Sequence, residues 1–129
     1  SAEACLYADL NIDPGKFGCQ HYEANQFLRY KRVIDPSGYL VLWQVGVAGD
    51  FSTAVFTSTK KQRSRLTEKL LQHYDADHTV IIYEAATLPI ESFRASKVTL
   101  AALHEQEIHQ HSTLVVPPQT PLVIDECYQ

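Results

Sequence analysis

Six side chains between residues 29 and 63, and three histidines near residue 110, are the groups whose types and spacing point to chemistry. Arg29, Lys31, Thr59, Lys60, Lys61 and Arg63 form the first set. A helix beginning after Thr59 would present free N–H groups and a partial positive charge, a natural receiver for phosphate or carboxylate. Lys60, Lys61 and Arg63 would surround that end with mobile cations. Joined by Arg29 and Lys31, with Phe27 as a stacking surface, they make the combination that holds single-stranded nucleic acid. A phosphorylated ligand or an acidic protein would meet the same surface. The plainer alternative is a solvated helix face, because charge runs alone are weak evidence of partners and the Gly-rich spacing of a phosphate loop is missing.

His104, His109 and His111 form the second set, in a segment that also holds Glu105 and Glu107. On a helix His104, Glu107 and His111 share one side; on a strand His109 and His111 do. Imidazole and carboxylate both suit a divalent metal, although the spacing is not that of the HExxH helix. No cofactor is expected, with a divalent metal as the alternative. A solvated segment that titrates near neutral pH is the plainer reading. Nucleophilic catalysis finds little support. Ser37, Ser52 and Ser58 lack a GxSxG elbow, and Cys5 and Cys19 stand in an irregular region near His21.

These groups belong to a chain of 129 residues with 45% apolar and 20% charged side chains, enough for one compact domain spanning 1–129. Residues 1–26 read as an irregular N-terminal segment and 113–129 as a proline-containing C-terminal one. Net charge is −4, which disfavours indiscriminate binding to nucleic acid or membrane. Yet eight of the 11 Lys and Arg fall between Arg29 and Lys69, against three acids. No apolar run approaches the roughly 18 residues of a membrane span, and the start shows no n-region, apolar h-region and cleavage site, so a secretory signal is expected to be absent or already removed. Cys5, Cys19 and Cys127 form an odd set without CxxC spacing. They read as reduced thiols of a cytoplasmic protein, or as a Cys5–Cys19 bridge if the protein is secreted.

The elements that must position these groups follow from local pattern. Phe27–Ile34 reads as a strand from its aromatic and β-branched content. Asp35-Pro36-Ser37-Gly38 fits a type I turn. Tyr39–Val47, apolar on both faces, reads as a central strand in which Gly46 marks a bulge or a close approach. A turn at Gly49-Asp50 and a third strand over Ser52–Ser58 follow. Thr59 and Gln62 have capping-box spacing, and Leu66, Leu70, Leu71 and Tyr74 make an apolar stripe for a main helix at about 60–74. Thr79–Glu84 is a strand. Residues 97–111 suit either helix or strand. Three prolines after Thr113 exclude a central strand there and predict an edge hairpin or a segment wrapped over the core.

The expected fold is α+β: an antiparallel sheet of four to five strands, or a small OB-like barrel, in β-β-β-α-β order with one main helix. The expected function is a non-enzymatic binding module presenting its basic surface to an anionic partner. The alternatives are a metal-dependent protein using His104–His111, and a structural subunit that pairs through an exposed edge strand as a homodimer.

Overall fold

Thr113–Val116 is a run of four buried residues, and the computed structural model places it in the middle of a sheet. Residues 1–48, 59–87 and 92–128 are described. Strands β1 (Cys19–Glu23), β2 (Tyr39–Trp43), β3 (Thr79–Glu84), β4 (Arg94–Thr99) and β5 (Thr113–Val116) lie in the order β1-β2-β5-β3-β4. β1 and β2 are parallel, and the other neighbours are antiparallel. Strand alternation then sends side chains to two cores. Leu40, Leu42, Val80, Ile82, Leu114 and Val116 pack on one face, with Phe27, Leu66, Leu70, Leu100 and Leu103 laid against them. Val41, Val115 and Tyr83 face the other way, towards Leu6 and Ile12.

Helices α1 (Ala2–Leu10), α2 (Pro14–Phe17), α3 (Ala24–Arg29) and α4 (Lys60–Leu70) supply the covering layers. α4 starts where its cap predicts. The Gln62 N–H donates to Thr59 Oγ1 at 3.2 Å, and the Thr59 N–H donates to Gln62 Oε1 at 2.7 Å. It is shorter than expected, giving way to turns after Leu70 that leave Leu71 exposed and Tyr74 buried. The Asp35–Gly38 turn forms as read, with the Gly38 N–H donating to Asp35 O and the Ser37 N–H to Asp35 Oδ1. Gly46 does mark a close approach: a Cβ there would stand 1.9 Å from the His109 carbonyl oxygen.

The α+β class and the small five-stranded sheet are as expected; the sheet is mixed and open rather than antiparallel or a barrel, the β-β-β-α-β order is not the one found, and α4 is the longest helix among the described residues. Several elements differ from the sequence reading, among them β2, which stops at Trp43 rather than Val47 because Gln44 turns left-handed into a 3₁₀ turn over Val45–Val47. Residues 27–34 are not a strand: Ala24, Phe27 and Leu28 recur at helical spacing, α3 buries the first two, and Val33 stands exposed in the segment beyond. β1 arises inside the supposedly irregular N-terminal region, from a largely polar stretch whose parallel pairing leaves it at the sheet edge. β5 is central despite the prolines, because it ends at Val116, one residue before the first of them. The prolines then lead a largely exposed segment rather than one wrapped over the core, with the Gln119 and Thr120 N–H groups donating to Pro36 O. Residues 97–111 split into the end of β4 and a 3₁₀ turn over Leu100–Glu105. The Gly49-Asp50 turn and the Ser52–Ser58 strand lie outside the described residues. No helix among the described residues is long and apolar enough to cross a membrane.

The end of the sheet is held by one carboxylate. Glu84 Oε2 accepts from Ser112 Oγ at 2.5 Å and Arg94 Nη1 at 3.2 Å, and lies 2.9 Å from His109 Nδ1. His109 Nε2 meets Glu107 Oε1 at 2.8 Å, so the imidazole sits between two carboxylates. The hydrogen bond to Glu107 and then that to Glu84 raise the His109 pKa above its ordinary 6.5. Burial alone would raise Glu84, but hydrogen bonds from Ser112 and His109 and the charge of Arg94 outweigh it and hold that carboxyl below its ordinary range.

The Tyr74 ring stacks on His78 and its hydroxyl is buried without a hydrogen-bond partner among the described residues; burial pushes its pKa up to about 12. Tyr74→Phe removes the unsatisfied group, and urea unfolding is expected to register a gain of about 1 kcal/mol. His109, charged when folded, stabilises fully below pH 6.5 and loses that contribution as pH rises through its raised folded value. Its side chain is 42% exposed, so the loss is no more than about 1 kcal/mol. Thermal melts from pH 6 to 9 should show this decline in the parent protein and its absence in His109→Gln.

Candidate functional site

Parallel pairing makes β1 and β2 finish on the same edge of the sheet, at Glu23 and Trp43. β3 runs antiparallel to β5, which runs antiparallel to β2, so β3 also finishes on that edge, at Glu84. Crevices beyond the carboxyl ends of strands are where open sheets commonly take ligands. A cleft of about 310 Å3 opens there, lined by Ser1, Ala2, Glu3, Glu23, Trp43 and Gln44. Its walls come from the start of α1 and from the ends of β1 and β2.

Trp43 is fixed by its neighbours on the α1 face. Its indole N–H donates to His21 Nδ1 at 3.1 Å, and the two rings stack at 5.8 Å with an angle of 16°. Indole is only a donor, so Nδ1 is unprotonated and the ring's proton stands on Nε2, which donates to the Tyr7 hydroxyl oxygen. Burial raises the pKa of both Tyr7 and Cys19, so phenol and thiol stay protonated at neutral pH. The one polar atom of Trp43 is thereby consumed, and the ring itself is what remains for the cleft. Gln44, next along, adopts φ 57° and ψ 43°. For a residue with a Cβ this left-handed conformation costs about 1–2 kcal/mol, a strain found most often at functional positions.

A second cleft of about 300 Å3 lies further along the same edge, lined by Glu84, Ala85, Thr87, His109 and His111. It brings two of the three predicted histidines together. His104 stays apart in its 3₁₀ turn, 3.6 Å from Glu105. Among the described residues no three His, Cys, Asp or Glu side chains are grouped to hold a metal ion.

The predicted basic set does not gather into one surface. Lys60 and Lys61 lie in the first turn of α4, while Lys31 lines a cleft of about 240 Å3 with Arg32 and Lys69 at the helix's far end. Eleven residues of helix separate those ends by about 15 Å. Thr59 is engaged in its capping box, and Arg63 Nε donates to His104 O at 3.0 Å. Arg29 is exposed at the end of α3. Phe27 is 1% exposed, so it has no face to offer a base. Sequence reasoning missed Glu3, Glu23, Trp43 and Gln44 because three separate segments bring them together. The one available signal was a Trp-Gln pair closing an apolar strand.

No family model matches the chain. Comparison with curated proteins finds relatives named as methyltransferases and cyclic peptide precursors. A methyltransferase and ribosomally synthesized cyclic peptide (gymnopeptides) precursor from Gymnopus fusipes is 42% identical over 126 residues, covering 92% of this chain and 29% of that protein. A methyltransferase and type I borosin cyclic peptide precursor from Coprinopsis marcescibilis is 40% identical over 127 residues, covering 94% of this chain and 32% of its own length. The corresponding omphalotin A precursor of Omphalotus olearius is 42% identical over 125 residues, covering 92% and 30%. The chain therefore spans about a third of the length of the curated relatives it matches. Relatives named as methyltransferases, similar along nearly the whole chain, overturn the reading of a non-enzymatic binding module.

Proposed function

We propose that this chain forms part of a peptide-modifying methyltransferase and that the cleft at the ends of β1 and β2 belongs to its active site. The observation that carries the proposal is 42% identity over 92% of the chain to a protein named as a methyltransferase and cyclic peptide precursor. Methyl transfer asks a protein to align a donor with an acceptor, to exclude water and to take up the proton that the methyl group replaces. The cleft's residues suit those tasks. A methyl donor is electron-poor at the transferring carbon, and a cleft lined by Trp43 together with Glu3 and Glu23 favours such a group. The same carboxylates are acceptors for a released proton. The side-chain amide of Gln44 offers a donor and an acceptor together, the complement of a peptide unit with its one N–H and one C=O. Free thiols at Cys5, Cys19 and Cys127 support a reducing, cytoplasmic setting.

The full product of the gene that encodes this chain provides the test. Its peptide segments, analysed by mass spectrometry after expression, are expected to carry increments of one methylene each. Trp43→Ala should lower the rate of methylation by about 100-fold, the scale of loss when a reacting group is misplaced by 1 Å. Trp43→Phe, which keeps a ring face, should retain most of it. Paired replacement of Lys60 and Lys61 by Ser, at the far side of the predicted basic set, should leave the rate unchanged. Unmodified peptide in the parent protein, or full methylation in Trp43→Ala, would overturn the assignment.

A further inference from the structure

Glu84 lies two strand positions from the Trp43 cleft, about 10 Å across the sheet, and does not line it. A continuous run of bonds nevertheless joins the two. Glu84 Oε2 accepts from the hydroxyl of Ser112, a residue with no solvent exposure. That hydroxyl also accepts from the His109 N–H at 2.9 Å, and the Ser112 N–H donates back to His109 O at 3.0 Å, closing a tight turn over 109–112. Ser112 O then accepts from the Val45 N–H at 3.2 Å. On the same surface His109 O occupies the space where Gly46 would carry a Cβ. Val45 and Gly46 directly follow Gln44, the residue held in a left-handed conformation at the cleft.

We propose that Glu84 is a positioning residue for the candidate active site: through Ser112 and the 109–112 turn it holds the 45–47 segment, and so keeps Gln44 in its strained conformation in the cleft. This rests on the methyltransferase reading above for its catalytic consequence, though not for the linkage itself. A left-handed Gln reverts to an ordinary conformation unless its surroundings over-determine it. Here the Val45 bond and the Gly46 contact do so from one side of the residue. Both are delivered by a turn whose only side-chain anchors among the described residues are the hydroxyl of Ser112 and the ring of His109, and both of these meet the same carboxylate. Arg94 braces that carboxylate from β4, and its Nη2 donates to Glu107 O at 2.8 Å, tying the start of the loop to the same point.

Amide exchange and methylation kinetics on the full gene product test this together. Ser112→Ala and Glu84→Ala are each expected to accelerate exchange over residues 44–48 by about tenfold, with residues 40–42 of β2 unchanged. Both should lower kcat/KM for methyl transfer by a similar factor. Glu84→Gln keeps an acceptor oxygen for Ser112, so it should behave as the parent protein in both measurements. Unaltered exchange at 44–48 in Ser112→Ala overturns the proposal whatever the activity, and that variant decides alone if Glu84→Ala exchanges throughout the sheet. Accelerated exchange with undiminished kcat/KM overturns it too. Absence of methyl transfer in the parent protein strikes down the methyltransferase reading instead, and the exchange result then judges the linkage by itself.

Discussion

Four residues of β5 hold two otherwise separate strand pairs in one sheet. Leu114 is partnered by Leu42 on one side and Ile82 on the other, and Val115 by Val41 and Ile81. Leu114, Val115 and Val116 have no solvent exposure, and burying such side chains is worth about 1.5–3 kcal/mol each. The strand has little freedom in length. Pro117 follows it at once, and a proline inside a central strand would remove a ladder hydrogen bond. Because β5 enters the sheet between the ends of β2 and β3, the chain that feeds it must cross that edge. The contacts of His109 with Gly46 and of Ser112 with Glu84 and Val45 are consequences of this route.

Positive charge follows a different logic from the one its clustering in the sequence implies. Lys69 Nζ lies 3.4 Å from Leu28 O and 3.3 Å from Tyr30 O, where the chain leaves α3 and its carbonyls lack helical partners. Arg63 supports the carbonyl of His104 in the same way, and the Arg32 guanidinium lies 4.2 Å from the centre of the Tyr22 ring. Several cations of the 29–69 stretch thus satisfy carbonyls and rings of their own chain. A run of Lys and Arg that looks like a surface awaiting an anion is in part the stitching between a helix and its neighbouring loop.

What could be read in advance, and what could not, divides on whether the signal was local. The Thr59–Gln62 cap, the Asp35–Gly38 turn, the strand at Thr79–Glu84 and the tight approach at Gly46 each depend on a few adjacent residues, and each was legible. β1 was not, because a Cys-Gln-His-Tyr-Glu run has no apolar alternation and is a strand only through its pairing with β2. The 27–34 segment misled because Phe and Tyr favour strands on average, whereas Ala24 had to be included before the helical spacing of Phe27 and Leu28 showed. The candidate site was hidden for a related reason. Neither Glu3 nor Glu23 carries any mark of function until parallel pairing sets the end of β1 beside Trp43.

Gln44 sharpens the argument for that edge. Glycine would hold the same left-handed backbone without steric cost, and the chain uses glycine two residues later where a close contact leaves no room for a Cβ. At position 44 an exposed side-chain amide is present instead, beside a tryptophan whose only polar atom is already bonded to His21. Stability is given up at a point where no packing requirement explains the side chain. The conformation is maintained by bonds that converge from β3, from the 109–112 turn and from the 45–47 turn, none of which touches the cleft directly. A strained residue that carries a hydrogen-bonding group, held from behind by a separate network, is what pre-organisation of a polar contact requires. It is the physical reason to place the candidate site at Gln44 and Trp43 rather than among the histidines or the basic helix.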